Sequence, residues 1–111
     1  MTVDQLATEF RRPYMKEQLA LLSRLAECWD QLEEQARHGD QRSATFLAWG
    51  ILLKPNHPAD RRANASSRAA LSRRLRRLAE RGFIERVRES NRTYAVKITP
   101  LGREVARRVN R

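Results

Sequence analysis

The chain carries a cluster of arginines within residues 61–78, a stretch that contains no acidic residue. Its seven arginines are Arg61, Arg62, Arg68, Arg73, Arg74, Arg76 and Arg77. A solvated helix usually mixes Glu with Lys or Arg, because like charges one turn apart repel each other. Guanidinium groups bind phosphate oxygens through paired, charge-assisted hydrogen bonds. The cluster therefore indicates an external polyanion, and the phosphate backbone of a nucleic acid is the first candidate.

Leucines in the same stretch predict the element that carries these arginines. Leu71, Leu75 and Leu78 recur at i, i+4 and i+7, which places them on one stripe of an α-helix. With about 100° of rotation per residue, the opposite side carries small and basic residues. These are Ala69, Arg73 and Arg76, flanked by Ser72 and Arg77. The spacing predicts a helix over residues 67–81, with its leucines in a core and its arginines in solvent.

Two short motifs follow this helix. Residues 78–82 read LAERG, in which Gly82 can adopt the left-handed conformation that ends a helix at low cost. Residues 98–102 read ITPLG, in which Thr99 and Pro100 form an N-cap and N1 pair that begins another helix. The apolar residues of that helix are Leu101, Val105 and Val109.

The segment between these motifs has the pattern of a two-stranded hairpin. Residues 93–98 alternate in polarity, which predicts a strand with one apolar and one solvated face. The apolar set is Tyr94, Val96 and Ile98, and the solvated set is Thr93, Ala95 and Lys97. Residues 83–88 form a first strand with fewer apolar side chains, and the turn-prone residues 89–91 join the two.

This ordered set of helix, glycine, strand, basic turn, strand and Thr-x-x-Gly resembles the DNA-binding half of MarR-type winged-helix regulators. In that family a recognition helix ends in Leu-x-x-x-Gly and a two-stranded wing closes on Leu-Thr-x-x-Gly, similar to residues 78–82 and 98–102. The resemblance implies a winged helix-turn-helix domain that binds double-stranded DNA. Its recognition helix would read the major groove, and its wing, residues 87–93, would reach the adjacent minor groove or its phosphates.

Two segments depart from the family's pattern. At the wing, Ser90, Asn91 and Arg92 stand where the family usually has Asp-x-Arg. Before the recognition helix the family has a second helix with leucines, whereas residues 54–66 contain alanines and no bulky apolar side chain. We therefore expect either a short, poorly packed helix near residues 58–65 or none.

Position on the helix and the wing predicts which residues contact DNA. Arginine pairs bidentately with guanine O6 and N7, so the outward face would read the bases through Ala69, Ser72, Arg73 and Arg76. The helix N-terminus and flanks would contact phosphates through Ser66, Ser67, Arg68, Arg74 and Arg77. At the wing, the contacts would come from Asn91 and Arg92, since a narrow minor groove attracts arginine.

The first part of the chain reads as helix. Val3, Leu6 and Phe10 predict a short helix that ends at or before Pro13. From Pro13 onward, apolar residues fall at the a and d positions of a heptad, with Gln18 as the polar exception. They are Met15, Leu22, Leu25, Trp29, Leu32 and Ala36. Two interpretations remain open: a dimer seam, which would suit a protein that reads two half-sites, or packing onto the chain's own winged helix. We favour the homodimer.

A second helix is predicted to begin at Ser43, its N-cap, and to cover residues 44–53 before Pro55. It is apolar on nearly every side, which is typical of a buried helix, and it would be the first helix of the winged-helix core. The predicted fold is thus mainly α with a small β-wing. Residues 1–38 would form the dimerisation segment, and residues 43–111 would form the winged-helix DNA-binding domain.

Charge and residue types limit the classes of function. Residues 1–60 hold seven basic and nine acidic side chains, whereas residues 61–111 hold sixteen and four, for net charges of −2 and +12. His38, His57 and the single Cys28 make a poor metal set, and no His or acid pattern accompanies a nucleophile. Cys28 reads as a half-buried helix residue, with redox sensing as the alternative. We expect no metal, no cofactor and no enzymatic activity.

The sequence predicts a cytoplasmic protein outside the membrane, because one cysteine allows no internal disulfide and no apolar run approaches about 18 residues. Its function would be that of a sequence-specific double-stranded DNA-binding transcription regulator, most simply a repressor. The alternatives are another nucleic-acid-binding module (replication, partition, architectural or RNA-binding) and a winged-helix protein-interaction module with an acidic partner. The fold does not separate these classes. No pattern identifies the operator, the regulated genes or a small-molecule effector.

Overall fold

A computed structural model describes residues 2–52, 65–89 and 92–110. The helices in these ranges are α1 (Val3–Phe10), α2 (Lys16–Arg37), α3 (Gln41–Trp49), α4 (Ala65–Glu80) and α5 (Pro100–Val109). The strands are β1 (Ile51–Leu52), β2 (Ile84–Glu89) and β3 (Arg92–Ile98), in an antiparallel sheet of order β1-β3-β2. The predicted combination of mainly helical structure and a small antiparallel sheet is confirmed. Of the short helix predicted near residues 58–65, residues 58–64 lie outside the described residues, and Ala65 is the first residue of α4.

The N-terminal helices form where the sequence predicted them. Thr2 caps α1: its hydroxyl accepts from Gln5 N at 3.2 Å, and its backbone N–H donates to Gln5 Oε1 at 2.8 Å. A 3-10 turn, Pro13–Met15, then leads into α2. Arg12, the residue before the proline, has an extended backbone with a ψ of 145°, so α1 ends before the long helix begins.

The prediction for α3 is wrong in its cap, its end and its burial. Asp40 is the N-cap and accepts from Arg42 N at 3.1 Å, while Ser43 lies inside the first turn. The helix ends at Trp49 because the next residues become β1 and pair with β3. Trp49 is 70% exposed, and Phe46 and Leu47 are half-buried rather than enclosed. In the described part of the chain α3 packs against α2, β1 and β3, and these contacts leave Trp49 exposed.

Ser43 instead contributes to the turn between α2 and α3. Its hydroxyl lies 2.8 Å from Gln35 Oε1 and 2.9 Å from Asp40 Oδ2. The hydrogen bond from Ser43 and the backbone N–H groups lower the pKa of Asp40, although desolvation opposes them. The ionised carboxylate of Asp40 is therefore favoured as the cap. Its hydrogen bonds fix the angle at which the chain enters α3.

The heptad stripe of α2 packs into the chain's own core. That core contains Phe10, Met15, Leu22, Leu25, Ala26, Trp29, Leu75, Leu78, Phe83, Ile84, Val96, Ile98, Val105 and Ala106. Four of the residues predicted for the dimer seam, Met15, Leu22, Leu25 and Trp29, are buried within a single chain. Leu32, the remaining seam residue, is half-buried. The two predicted segments, 1–38 and 43–111, share this core, so they fold as one unit.

The polar exception in the heptad, Gln18, is buried with 8% of its surface exposed. Its Oε1 has no hydrogen-bond partner among the described residues. A buried acceptor without a partner costs about 1–3 kcal/mol. We expect Gln18→Leu to raise the free energy of unfolding by about 1–2 kcal/mol in urea denaturation, since it removes that penalty and adds apolar contact. Gln31→Leu, at an exposed site of the same helix, is the control, and lower stability for Gln18→Leu would contradict the prediction.

The end of α4 confirms the predicted glycine turn. Gly82 has a φ of +80°, a left-handed conformation that other residues adopt at a cost. Phe83 N donates to Leu78 O and Gly82 N donates to Ala79 O, each at 3.0 Å. This pair of hydrogen bonds is the Schellman arrangement, and it directs Phe83 into the core.

The Thr-x-x-Gly motif anchors α5 on this turn. Thr99 Oγ1 donates to Gly82 O at 2.7 Å and accepts from Gly102 N at 3.0 Å, as the predicted N-cap does. Thr99 N also donates to Phe83 O at 3.0 Å. Val105 is buried as predicted, whereas Leu101 is 37% exposed because it points away from the turn. The motif therefore joins the C-terminal helix to the end of α4.

The hairpin differs from strict alternation at one point. Val87 pairs with Ala95 but Arg88 pairs with Thr93, so β3 carries an extra residue, Tyr94, at this position. Ala95, predicted to be solvated, is fully buried because β1 and the end of α3 lie against it. A Cβ atom placed on Gly50 would lie 3.2 Å from Ala95 Cβ, so the end of α3 lies close to β3. Strand β1, which the sequence did not predict, pairs with β3 and connects α3 to the hairpin.

Candidate nucleic-acid interface

Helix α4 has one buried and one exposed face, as the leucine spacing predicted. Leu75 and Leu78 are buried in the core and Leu71 is half-buried. The exposed side chains on the other face are Ala69, Ser72, Arg73, Arg76 and Arg77. The four residues predicted to read bases therefore share one solvent-facing surface. We call Ala69, Ser72, Arg73, Arg76 and Arg77 the outer face of α4.

The arginines of the outer face are weakly neutralised. Within the described ranges, Arg73 and Arg77 have no carboxylate within 4.0 Å. Arg76 Nε lies 3.8 Å from Glu80 Oε1, and both side chains are more than half exposed. An exposed pair of this kind contributes little and yields easily to another anion. The outer face therefore carries positive charge that is available to a polyanion.

Arg74, predicted to contact phosphate, is instead occupied by a carboxylate of the same chain. It forms an ion pair with Glu17 of α2, and its side chain is 32% exposed. On the helix it lies on the side of the leucines, which turns it towards α2. Residues 57 positions apart meet here, so the sequence pattern around α4 did not reveal the pair.

A second ion pair holds the end of α4 to α1. Arg81 Nη1 lies 2.9 Å from Glu9 Oε1, and its guanidinium sits 5.7 Å from the centre of the Phe10 ring. Phe10 also meets Phe83 edge to face, with ring centres 5.2 Å apart. The C-terminal end of α4 is therefore fixed by aromatic and ionic contacts that do not involve the outer face.

The hairpin adds two basic residues to the predicted contacts Asn91 and Arg92, and one of them, Arg88, lies within the predicted wing, residues 87–93. Arg88 is exposed and Arg86 is half-buried on β2, a strand that packs against α4. The sequence contained a signal for this pair, because residues at i and i+2 of a strand lie on the same face of the sheet. The predicted wing residue Asn91 lies outside the described residues, and so do the side chains of Arg92, Ser66, Ser67 and Arg68.

The arginines of α5, in contrast, are paired with carboxylates. Arg103 lies 2.8 Å from Asp30 Oδ1 and 2.9 Å from Glu33 Oε1 of α2. Burial acts to lower the pKa of Arg103, but the hydrogen bonds that it donates to Asp30 and Glu33 outweigh burial, so this pKa lies above its ordinary value. Arg108 pairs with Asp4 and Glu104. Among the described residues of the second half, the positive charge without a close carboxylate partner therefore lies mainly on the outer face of α4, since β2 carries two arginines and two glutamates.

Other kinds of site have less support in the part of the chain that the structure describes. No group of three His, Cys, Asp or Glu side chains there could hold a metal ion. Cys28 is a half-buried free thiol. Among the same residues, no helix has the length and apolar character needed to cross a membrane. Comparisons of the chain with protein-family models, with curated proteins and with solved structures found no significant match.

Proposed function

We propose that the protein is a sequence-specific double-stranded DNA-binding transcription regulator of the winged-helix type. The observation that carries this proposal is the outer face of α4, where Arg73 and Arg77 lack a carboxylate partner among the described residues. The order of α3, α4 and a two-stranded hairpin supports the winged-helix interpretation. Repression is the simplest activity for such a protein, because a bound domain excludes other proteins from the same DNA.

The dimensions of α4 suit the major groove. An α-helix with its side chains is about 10–12 Å across, and the major groove of B-DNA is about 12 Å wide. With α4 in the groove, Arg73 and Arg76 would approach base edges and Arg77 would approach the phosphates. The hairpin packs beside α4, so Arg88 and the wing residues Asn91 and Arg92 would follow the neighbouring backbone.

The internal position of the α2 stripe changes the expected assembly. A dimer through Met15, Leu22, Leu25 and Trp29 would require the core to open. We therefore propose that a single chain is the DNA-binding unit, with affinity that depends steeply on salt. Sedimentation at tens of micromolar measures this directly, and any dimer would have to use another surface.

The test is substitution on the outer face with a charge-matched control. A preferred site is first selected from a randomised duplex pool with the wild-type protein. Arg73→Ala and Arg76→Ala are expected to reduce preference for that site over random duplex by about 1–3 kcal/mol each, because each removes a potential bidentate contact with guanine. Arg77→Ala should weaken both duplexes alike and lower the salt slope by about one charge.

Arg107→Ala is the control, since it removes the same charge from α5, which packs on α1 and α2. Arg107→Ala should leave the preference for the selected site over random duplex unchanged. Full preference in the Arg73 and Arg76 variants would show that another surface reads the bases. Equal affinity for matched RNA would favour a different nucleic-acid-binding module, and no affinity for either nucleic acid would favour an acidic protein partner.

A further inference from the structure

Glu17 places a carboxylate of the N-terminal part of the chain against the arginines of α4. Its side chain forms an ion pair with Arg74 and is 73% exposed. Water and dissolved anions therefore have direct access to the pair. Carboxylate and phosphate both accept paired hydrogen bonds from a guanidinium, so they compete for the same donor atoms.

Arg74 is close enough to the outer face to reach a DNA phosphate. Arg77 follows it by three residues, which places their Cβ atoms about 5–6 Å apart on the helix surface. Arg77 is exposed and has no carboxylate partner within the described ranges. A phosphate that binds Arg77 would therefore lie within the range of the long Arg74 side chain.

The position of α4 does not depend on this ion pair. Leu75 and Leu78 hold the helix in the core, and the pair between Arg81 and Glu9 fixes its C-terminal end. An exposed ion pair adds little to such packing. Glu17 thus affects mainly the charge that α4 presents to solvent.

On the basis of the proposed function, we infer that Glu17 is an intramolecular competitor of the DNA backbone. In the free protein its carboxylate occupies the Arg74 guanidinium, and a DNA phosphate displaces it on binding. The exchange weakens contact with any DNA sequence, whereas Glu17 does not pair with Arg73 or Arg76. It therefore limits nonspecific binding in a chain whose net charge is +10.

The test is Glu17→Gln, with Glu34→Gln as the control. Glu34 lies on the same helix, is 59% exposed and pairs with Arg37. Seventeen residues of helix separate the two by about 25 Å, which exceeds twice the Debye length in physiological salt. Affinity for a random-sequence duplex is measured by fluorescence anisotropy across a salt series. Glu17→Gln is expected to bind about two- to five-fold more tightly, because no ion pair has to be broken, and Glu34→Gln should match the wild type.

A second comparison identifies Arg74 as the group released. Arg74→Ala should change affinity little in the wild type but should remove the gain in a Glu17→Gln background. Thermal unfolding shows that each variant is folded. Unchanged or weaker binding by Glu17→Gln, or a gain that persists without Arg74, would overturn the inference. If the wild type itself fails to bind duplex at low salt, the proposed function is wrong instead.

Discussion

Replacing Leu25 with glutamate is expected to unfold the whole chain rather than to separate two subunits. Leu25 is 8% exposed and shares its core with Leu75 and Phe83, which come from the other end of the sequence. A carboxylate at this position would be buried without a partner, at a cost of several kcal/mol. A typical domain is stable by only about 5–15 kcal/mol. Circular dichroism should show a lost or strongly lowered cooperative transition.

Leu101→Glu is the matched control, because it makes the same substitution at a side chain that is 37% exposed. Leu101 lies in the first turn of α5, where a negative charge is favourable. This variant should unfold at nearly the wild-type temperature. A Leu25→Glu protein that stays folded and becomes a monomer, from a dimeric wild type, would restore the dimer seam.

The α2 stripe shows what a periodic pattern predicts and what it does not. Heptad spacing indicated that Leu22, Leu25 and Trp29 are buried, and they are. The same spacing suits another copy of the helix or the chain's own helices equally well, because both partners offer a similar apolar surface. The choice depends on contacts with α4, α5 and the hairpin, which are distant in sequence.

Elements with local signals were predicted well. The leucines of α4, the left-handed Gly82 and the Thr99-Pro100 start of α5 each depend on residues within about one or two helical turns. The exposed position of Arg73 and Arg76 follows from the same spacing, so the outer face of α4 was predictable before the fold was known.

Features that depend on distant residues were missed. Ile51 and Leu52 continue an apolar run that suits a helix, and only their pairing with Val96 and Ala95 makes them a strand. The Glu17 carboxylate meets Arg74 because two helices cross, which no spacing within either helix indicates. The candidate site was therefore predictable in its basic face but not in the acid that partly neutralises it.

Gly102→Ala is expected to destabilise the protein, although helix propensity predicts the opposite. Alanine within a helix is more favourable than glycine by about 1 kcal/mol. A Cβ atom on Gly102, however, would lie 2.2 Å from Phe83 O and 3.0 Å from Phe83 C, both backbone atoms that cannot rotate away. The N-terminus of α5 would have to move from the turn after α4. We expect a loss of about 1–3 kcal/mol or more in urea denaturation.

The same displacement would break the contacts that Thr99 makes with Gly82 and Phe83, which are 2.7 and 3.0 Å long. Leu101→Ala, a neighbouring substitution on an exposed side chain, tests whether α5 tolerates small changes and should unfold close to the wild type. Stability equal to or above the wild type in Gly102→Ala would mean that the turn shifts at little cost. In that case the close approach of the Phe83 backbone would not explain why the Thr-x-x-Gly motif has glycine at position 102.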